Sequence, residues 1–132
     1  MKSISLMTFV AGVALSALTG SAFAAGDPAA GEKVFAKCKA CHQVGETAKN
    51  AIAPELDGID GRKAGSVEGY NYSDAMKNSG ITWDEATFGE FIKNPKAKVP
   101  GTKMVFQGLP SDSDAANVWA YLAGFGADGK KK

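Results

Sequence analysis

Cys38-Lys39-Ala40-Cys41-His42 places both cysteines and the only histidine of the chain within five consecutive residues. This is the C-x-x-C-H pattern of haem attachment. Two cysteines three apart on one helical turn face the same way, and each can form a thioether to a haem vinyl group while the adjacent histidine brings its imidazole under the iron. His42 is therefore the expected first axial ligand. A C-x-x-C pair alone also suits thiol redox chemistry, half a zinc site or a local disulfide. Zinc asks for about four ligands, and no further Cys or His exists to complete a set. A thioredoxin-like pair belongs near a βαβ pattern, whereas the flanks here read as helix followed by loop. A bridge between cysteines three apart closes too small a ring to staple a fold.

Upstream of the motif, Lys2 is a short basic n-region, Ile4 to Leu18 an apolar stretch, and Ala22-Phe23-Ala24 a small-x-small cleavage site. Residues 1–24 are expected to be a cleaved signal peptide. The apolar run is shorter than the ~20 residues of a spanning helix and is broken by Gly12, Ser16, Thr19 and Gly20. Export agrees with the motif, because covalent c-type haem is assembled on the exported side of a membrane. The expected location is the periplasm. Past the cleavage site the chain divides into a domain over 25–126 and a flexible basic tail over 127–132.

Lys2 is one of 15 basic residues set against 14 acidic ones, so the exported chain is formally neutral. Its charge is uneven. Lys93, Lys96, Lys98 and Lys103 occur without an intervening acid, while Glu46 to Asp60 is mostly acidic. With no basic excess and no recognisable motif, nucleic-acid binding is not expected.

Asp27-Pro28 starts a helix, an N-cap followed by proline at the first position. Val34, Phe35, Cys38, Cys41 and His42 recur at helical spacing, so the motif is expected to end that helix. Gly31 inside it costs about 1 kcal/mol against Ala, which marks a close approach by another helix. From Gln43 to Gly69 there is little periodicity, and a loop this long in a small domain needs something to pack upon. Ser73 to Asn78 reads as a short helix, and Thr82-Trp83-Asp84-Glu85 as a capping box opening a helix with Phe88, Phe91 and Ile92 on one face. Asn94-Pro95 ends it. Lys96 to Pro110 reads as irregular, and a last helix runs from Asp112 or Ser113 to Ala123, with Ala115, Val118, Trp119 and Leu122 at helical spacing. No strand-like alternation stands out, so the domain is expected to be all-α.

Without a second histidine, a six-coordinate haem must recruit methionine, lysine or a terminal amine. Past the signal peptide the chain offers Met76, inside an expected helix, and Met104, after a Pro-Gly turn. A buried helical methionine is usually packing, and a ligand reaching the far side of a haem suits a loop fixed by such a turn. Position favours Met104.

From Gly31 to Leu122 the chain resembles the class I cytochromes c, in particular the bacterial cytochrome c2 group related to mitochondrial cytochrome c. The shared stretches, in family order, are Cys-Lys-Ala-Cys-His, Ala-Pro-Glu-Leu-Asp-Gly, Gly-Arg-Lys-Ala-Gly, Gly-Tyr-Asn-Tyr-Ser, Gly-Ile-Thr-Trp, Asn-Pro-Lys and Pro-Gly-Thr-Lys-Met. The resemblance implies about four to five helices wrapped around one haem c, covalent through Cys38 and Cys41, with the N- and C-terminal helices packed together. It implies Met104 as sixth ligand and Pro54 as the carbonyl that fixes the ligand histidine. It implies Arg62, Tyr72 and Trp83 at a buried haem propionate, and Ser73 and Thr102 near the other. Lys37, Lys96 and Lys103 are implied around an exposed haem edge, where lysines steer docking to acidic partners. Departures are Ala53 for glycine, Phe91 for tyrosine and Met76 for asparagine, the last two removing polar groups beside the haem.

The implied activity is one-electron transport rather than catalysis, since an iron with both axial positions filled has no site for substrate. The expected protein is a soluble periplasmic monomer without a membrane span. It would carry electrons from a cytochrome bc complex to a terminal oxidase or photosynthetic reaction centre, both docked transiently. The alternative is a dedicated acceptor for one periplasmic dehydrogenase, with the same haem chemistry and a different docking surface.

Overall fold

The structure is a computed structural model describing Gly12 and residues 26–132. The expected signal peptide and its cleavage point lie outside the described residues, Gly12 apart. Five helices follow in order, α1 (Pro28–Phe35), α2 (Asp74–Lys77), α3 (Glu85–Lys93), α4 (Pro95–Lys98) and α5 (Asp112–Ala123). Among the described residues the only strand-like pairing is two isolated bridges, Lys63 with Thr82 and Phe125 with Lys131. The domain is all-α as expected.

Helix α1 begins where Asp27 Oδ1 accepts the Ala29 N–H at 3.0 Å and Pro28 takes the first helical position. It stops at Phe35, short of the motif. From Ala36 the backbone tightens: the amides of Ala36, Lys37 and Cys38 bond to carbonyls three residues back. That closer winding is common where a helix ends. The five motif residues therefore sit in turns, closed by Cys41 N–H to Cys38 O at 3.1 Å and His42 N–H to Cys38 O at 2.9 Å.

Helix α1 lies across α5, and Gly31 is where they meet: a Cβ there would fall within 1.8 Å of the Asn117 carbonyl oxygen. The Phe35 ring packs on Tyr121 with centroids 5.5 Å apart. Phe35, Val118 and Leu122 are buried, worth roughly 1.5–3 kcal/mol each in apolar transfer. Helix α3 takes another side of α5, through Phe88 on Trp119 at 5.2 Å, and buries Phe91 and Ile92 in the same core.

The start of α3 differs in detail from expectation. Its cap is Asp84, which accepts the Thr87 N–H at 2.8 Å, while Thr87 Oγ1 accepts the Asp84 N–H at 3.0 Å. Thr82 and Glu85 do not form the box, because Trp83 is buried and paired through its backbone to Arg62 and Gly61. That pairing holds 82–83 extended until Asp84. At the other end, Asn94 both stops α3 and caps α4, its side chain accepting the Ala97 N–H at 3.3 Å. The dipeptide expected as a terminator is also a helix start.

The tail is not a free extension. Past Phe125 the chain turns at Asp128-Gly129 and returns, with Gly126 N–H to Lys130 O at 2.9 Å and Lys132 N–H to Gly124 O at 2.8 Å. Asp128 Oδ1 accepts the Lys130 N–H at 3.0 Å and fixes the turn.

Candidate functional site

Among the described residues the irregular segments line a partly open cavity of about 250 Å³. Close-packed interiors hold few voids larger than a water molecule, so this space is not a packing defect. Its wall brings together Cys38, Cys41, His42, Pro54, Tyr72, Ser73, Thr102, Met104, Lys37 and Lys103. These come from four separate stretches of the chain. Cys38, Cys41, His42 and Met104 were expected from the motif and the Pro-Gly turn, and the other six are residues that the family resemblance implies.

His42 is oriented from behind. Its Nδ1 lies 2.7 Å from the Pro54 carbonyl oxygen. A carbonyl can only accept, so Nδ1 carries the proton and Nε2 is left with a lone pair. Burial lowers the His42 pKa below its ordinary value, the Arg62 charge adds to this, and the bond to Pro54 opposes it. The ring is held neutral, the form that binds a metal. The turn carrying Pro54 is tied to the motif by Ala53 N–H to Cys41 O at 3.1 Å and Leu56 N–H to Gln43 O at 3.0 Å.

Burial raises the Cys38 pKa, the neighbouring Cys41 raises it further, and Lys37 pulls it down. Both cysteines are unpaired. Among the described residues no group of three or more His, Cys, Asp or Glu could hold a metal ion. A bare ion is thus poorly served, whereas an iron delivered inside a planar ligand needs only axial donors and two thiols for attachment. The lining fits such a group, with apolar Ile52, Phe91 and Phe106 beside the Tyr72, Ser73 and Thr102 hydroxyls.

Met104 reaches the cavity from a loop pinned at three points. Its own N–H bonds to Thr102 Oγ1 at 3.2 Å, Thr102 N–H to Val99 O at 3.0 Å, and Lys103 Nζ to Asn71 O at 3.1 Å. Met76 lines the same cavity from α2, with its N–H capped by Ser73 Oγ at 3.1 Å.

Arg62, Trp83 and Lys96 are not on the wall. The Arg62 guanidinium donates to the Asp57 and Glu55 carbonyls at 2.9 and 3.0 Å and pairs with the Glu55 carboxylate at 3.5 Å, holding the turn behind Pro54. Trp83 packs on Phe91, a wall residue, at 5.2 Å. Lys96 borders a neighbouring surface groove that shares Lys37, Val105 and Phe106 with the cavity. Sequence reasoning did not single out Ile52, Tyr70, Val105 or Phe106. They lie in segments without periodicity, and only their spacing from Pro54, Tyr72 and Met104 could have drawn notice.

The comparisons agree with this geometry. The family model described as Cytochrome c matches residues 28–125. Cytochrome c-554 of Methylosinus trichosporium is 75% identical over 132 residues, the whole of both chains. Cytochrome c2 of Rhodoblastus acidophilus is 63% identical over 107 residues, covering 81% of this chain and 100% of that one. Among solved structures, cytochrome cH from Methylobacterium extorquens superposes with a TM-score of 0.70 at 51% identity, covering 74% of this chain and 97% of the other. A C-x-x-C-H motif facing a cavity with Met104, on a chain this similar end to end, leaves one assignment: the chain belongs to the cytochrome c family, an electron carrier with haem c covalent through Cys38 and Cys41 rather than an enzyme.

Proposed function

We propose that this chain is a soluble, monomeric one-electron carrier of the periplasm, with haem iron ligated by His42 and Met104. It would shuttle electrons from a cytochrome bc complex to a terminal oxidase or photosynthetic reaction centre. The observation that carries the reading is that His42, with Nε2 free, and Met104, on a pinned loop, face one cavity with both cysteines on its wall. When bound, haem with thioether ligation supplies a ferric/ferrous couple at raised potential.

The chain's own residues do the rest. His42 is presented neutral and in one tautomer. Phe91 and Phe106 would keep water from the apolar body of the group, and a low-dielectric wall would disfavour the extra positive charge of the oxidised state. Tyr72, Ser73 and Thr102 place hydroxyls where propionates can accept from them. Lys37 and Lys103 at the cavity, with Lys96 beside it, put positive charge where an acidic partner would approach. No helix among the described residues is long and apolar enough to cross a membrane.

The test is the visible and near-infrared absorption of the exported protein in both redox states. The expected result is a c-type ferrous spectrum with the weak ferric band of methionine-sulfur ligation, lost in Met104→Ala and kept in Met76→Ala. A high-spin spectrum in the unaltered protein would mean an open iron and overturn the carrier reading.

A further inference from the structure

Ala127 and Gly129, which sequence alone leaves as part of a basic tail, touch the loop that carries the partner of the haem ligand. Gly129 is buried, with φ +78°, and its backbone sits on Gly45: a Cβ on Gly129 would come within 2.3 Å of the Gly45 carbonyl oxygen. Two residues earlier, Ala127 packs on Gly58, where a Cβ would come within 2.8 Å of the Ala127 Cα. These contacts are backbone on backbone and specific to one register of the returning chain. The register is set by the Asp128 turn and the bridge between Phe125 and Lys131.

Gly45 and Gly58 flank the segment that orients the histidine. The Gly45 N–H donates to Asp57 Oδ1 at 2.8 Å, and Asp57 is buried. The Asp57 carbonyl accepts from Arg62, which also holds the Glu55 carbonyl, and Glu55 follows Pro54, whose carbonyl accepts from His42. An unbroken run of bonds and contacts thus leads from Ala127 and Gly129 to the His42 imidazole.

We propose that residues 127–131 are a positioning element of the haem site, clamping the 45–58 loop and through it the His42–Pro54 bond. The element acts by packing of its glycine and alanine, not by the charge of Lys130, Lys131 and Lys132. A second-shell bond of this kind sets the basicity of the ligand histidine, so loosening it should move the reduction potential. A tail that merely added stability would leave the potential unchanged. The inference rests on His42 being the iron ligand.

The experiment uses the haem-loaded full chain and three variants: a truncation after Gly126, Gly129→Ala, and the triple change of Lys130, Lys131 and Lys132 to Gln. Reduction potential is read by spectroelectrochemistry and amide exchange at Gly45 and Leu56 by NMR. The truncation and Gly129→Ala should both shift the potential in the same direction and speed Gly45 exchange by about tenfold or more, while the lysine variant matches the parent. Gly129→Ala guards against a truncated chain that fails to fold. An unchanged potential and Gly45 exchange in Gly129→Ala would overturn the proposal, as would an equal effect from the lysine variant, which would assign the tail to electrostatics. Retention of the methionine-sulfur band in the parent, with a normal c-type spectrum, separates failure of this inference from failure of the ligand assignment beneath it.

Discussion

The backbones of Gly31 and Asn117 meet with no room for a methyl group between them, so the first and last helices are locked at one point. Gly31→Ala would gain roughly 1 kcal/mol of helix propensity and lose more through overpacking against an immovable carbonyl, a cost of about 1–3 kcal/mol or beyond. A net loss of about 1–2 kcal/mol is expected in guanidinium unfolding of the haem-loaded protein. A stabilised variant would show that α1 and α5 do not touch there.

The cavity makes the fold depend on what fills it. With the group absent, Phe91, Phe106 and Ile52 face a void, and the 43–73 segment loses the surface it packs upon. The Cys38→Ala, Cys41→Ala double variant should lose most of its far-ultraviolet helical signal at 25 °C. A fully helical double variant would refute this dependence.

Electron transfer to a small anionic oxidant should report the lysines at the cavity mouth. Lys37→Glu and Lys103→Glu are each expected to slow reduction of ferricyanide by roughly 3–10-fold at low ionic strength, an effect that fades with added salt. Lys93→Glu, whose parent lysine pairs with Asp112 at 2.6 Å away from the cavity wall, should change the rate less. Equal slowing at all three positions would mean that net charge, not a docking face, governs the rate.

Asp84 gives the acid limb of stability a specific contributor. Hydrogen bonds from the Thr87 amide and hydroxyl lower its pKa below the ordinary 3.8. A carboxylate depressed in the folded state contributes stability above the unfolded pKa and loses it as pH falls through the folded value. Asp84→Asn should therefore flatten the fall of the urea midpoint below about pH 4 while keeping the cap. Parallel midpoint curves for parent and variant from about pH 7 to 3 would exclude the role.

Much of this was legible because a few residues carry unusual information. Cys38, Cys41 and His42 have no other plausible joint use, and Gly31 declared a helix crossing without saying where its partner lay. Met104 was separable from Met76 by a Pro-Gly turn, yet both methionines line the cavity. The differences share one cause: local pattern does not show which bonds tertiary contacts will override. Trp83, buried and backbone-paired, delays α3 by forcing extension on residues that look like a cap. Ala36 to Cys38 keep helical spacing while their hydrogen bonds tighten. Arg62 holds the loop behind Pro54, a placement set by carbonyls far too ordinary to be noticed in sequence. The tail draws notice for its lysines, whereas its path is decided by Asp128 and Gly129.

The Asp27 amide bonds to a side chain 90 residues further along. That contact closes a span of 90 residues, a separation whose loop-closure cost grows only slowly with length. Until α5 is in place α1 has no helix to close against, and the two thiols lie just beyond α1. The two ends of the domain are therefore one closure, and loss of either helix removes the partner of the other.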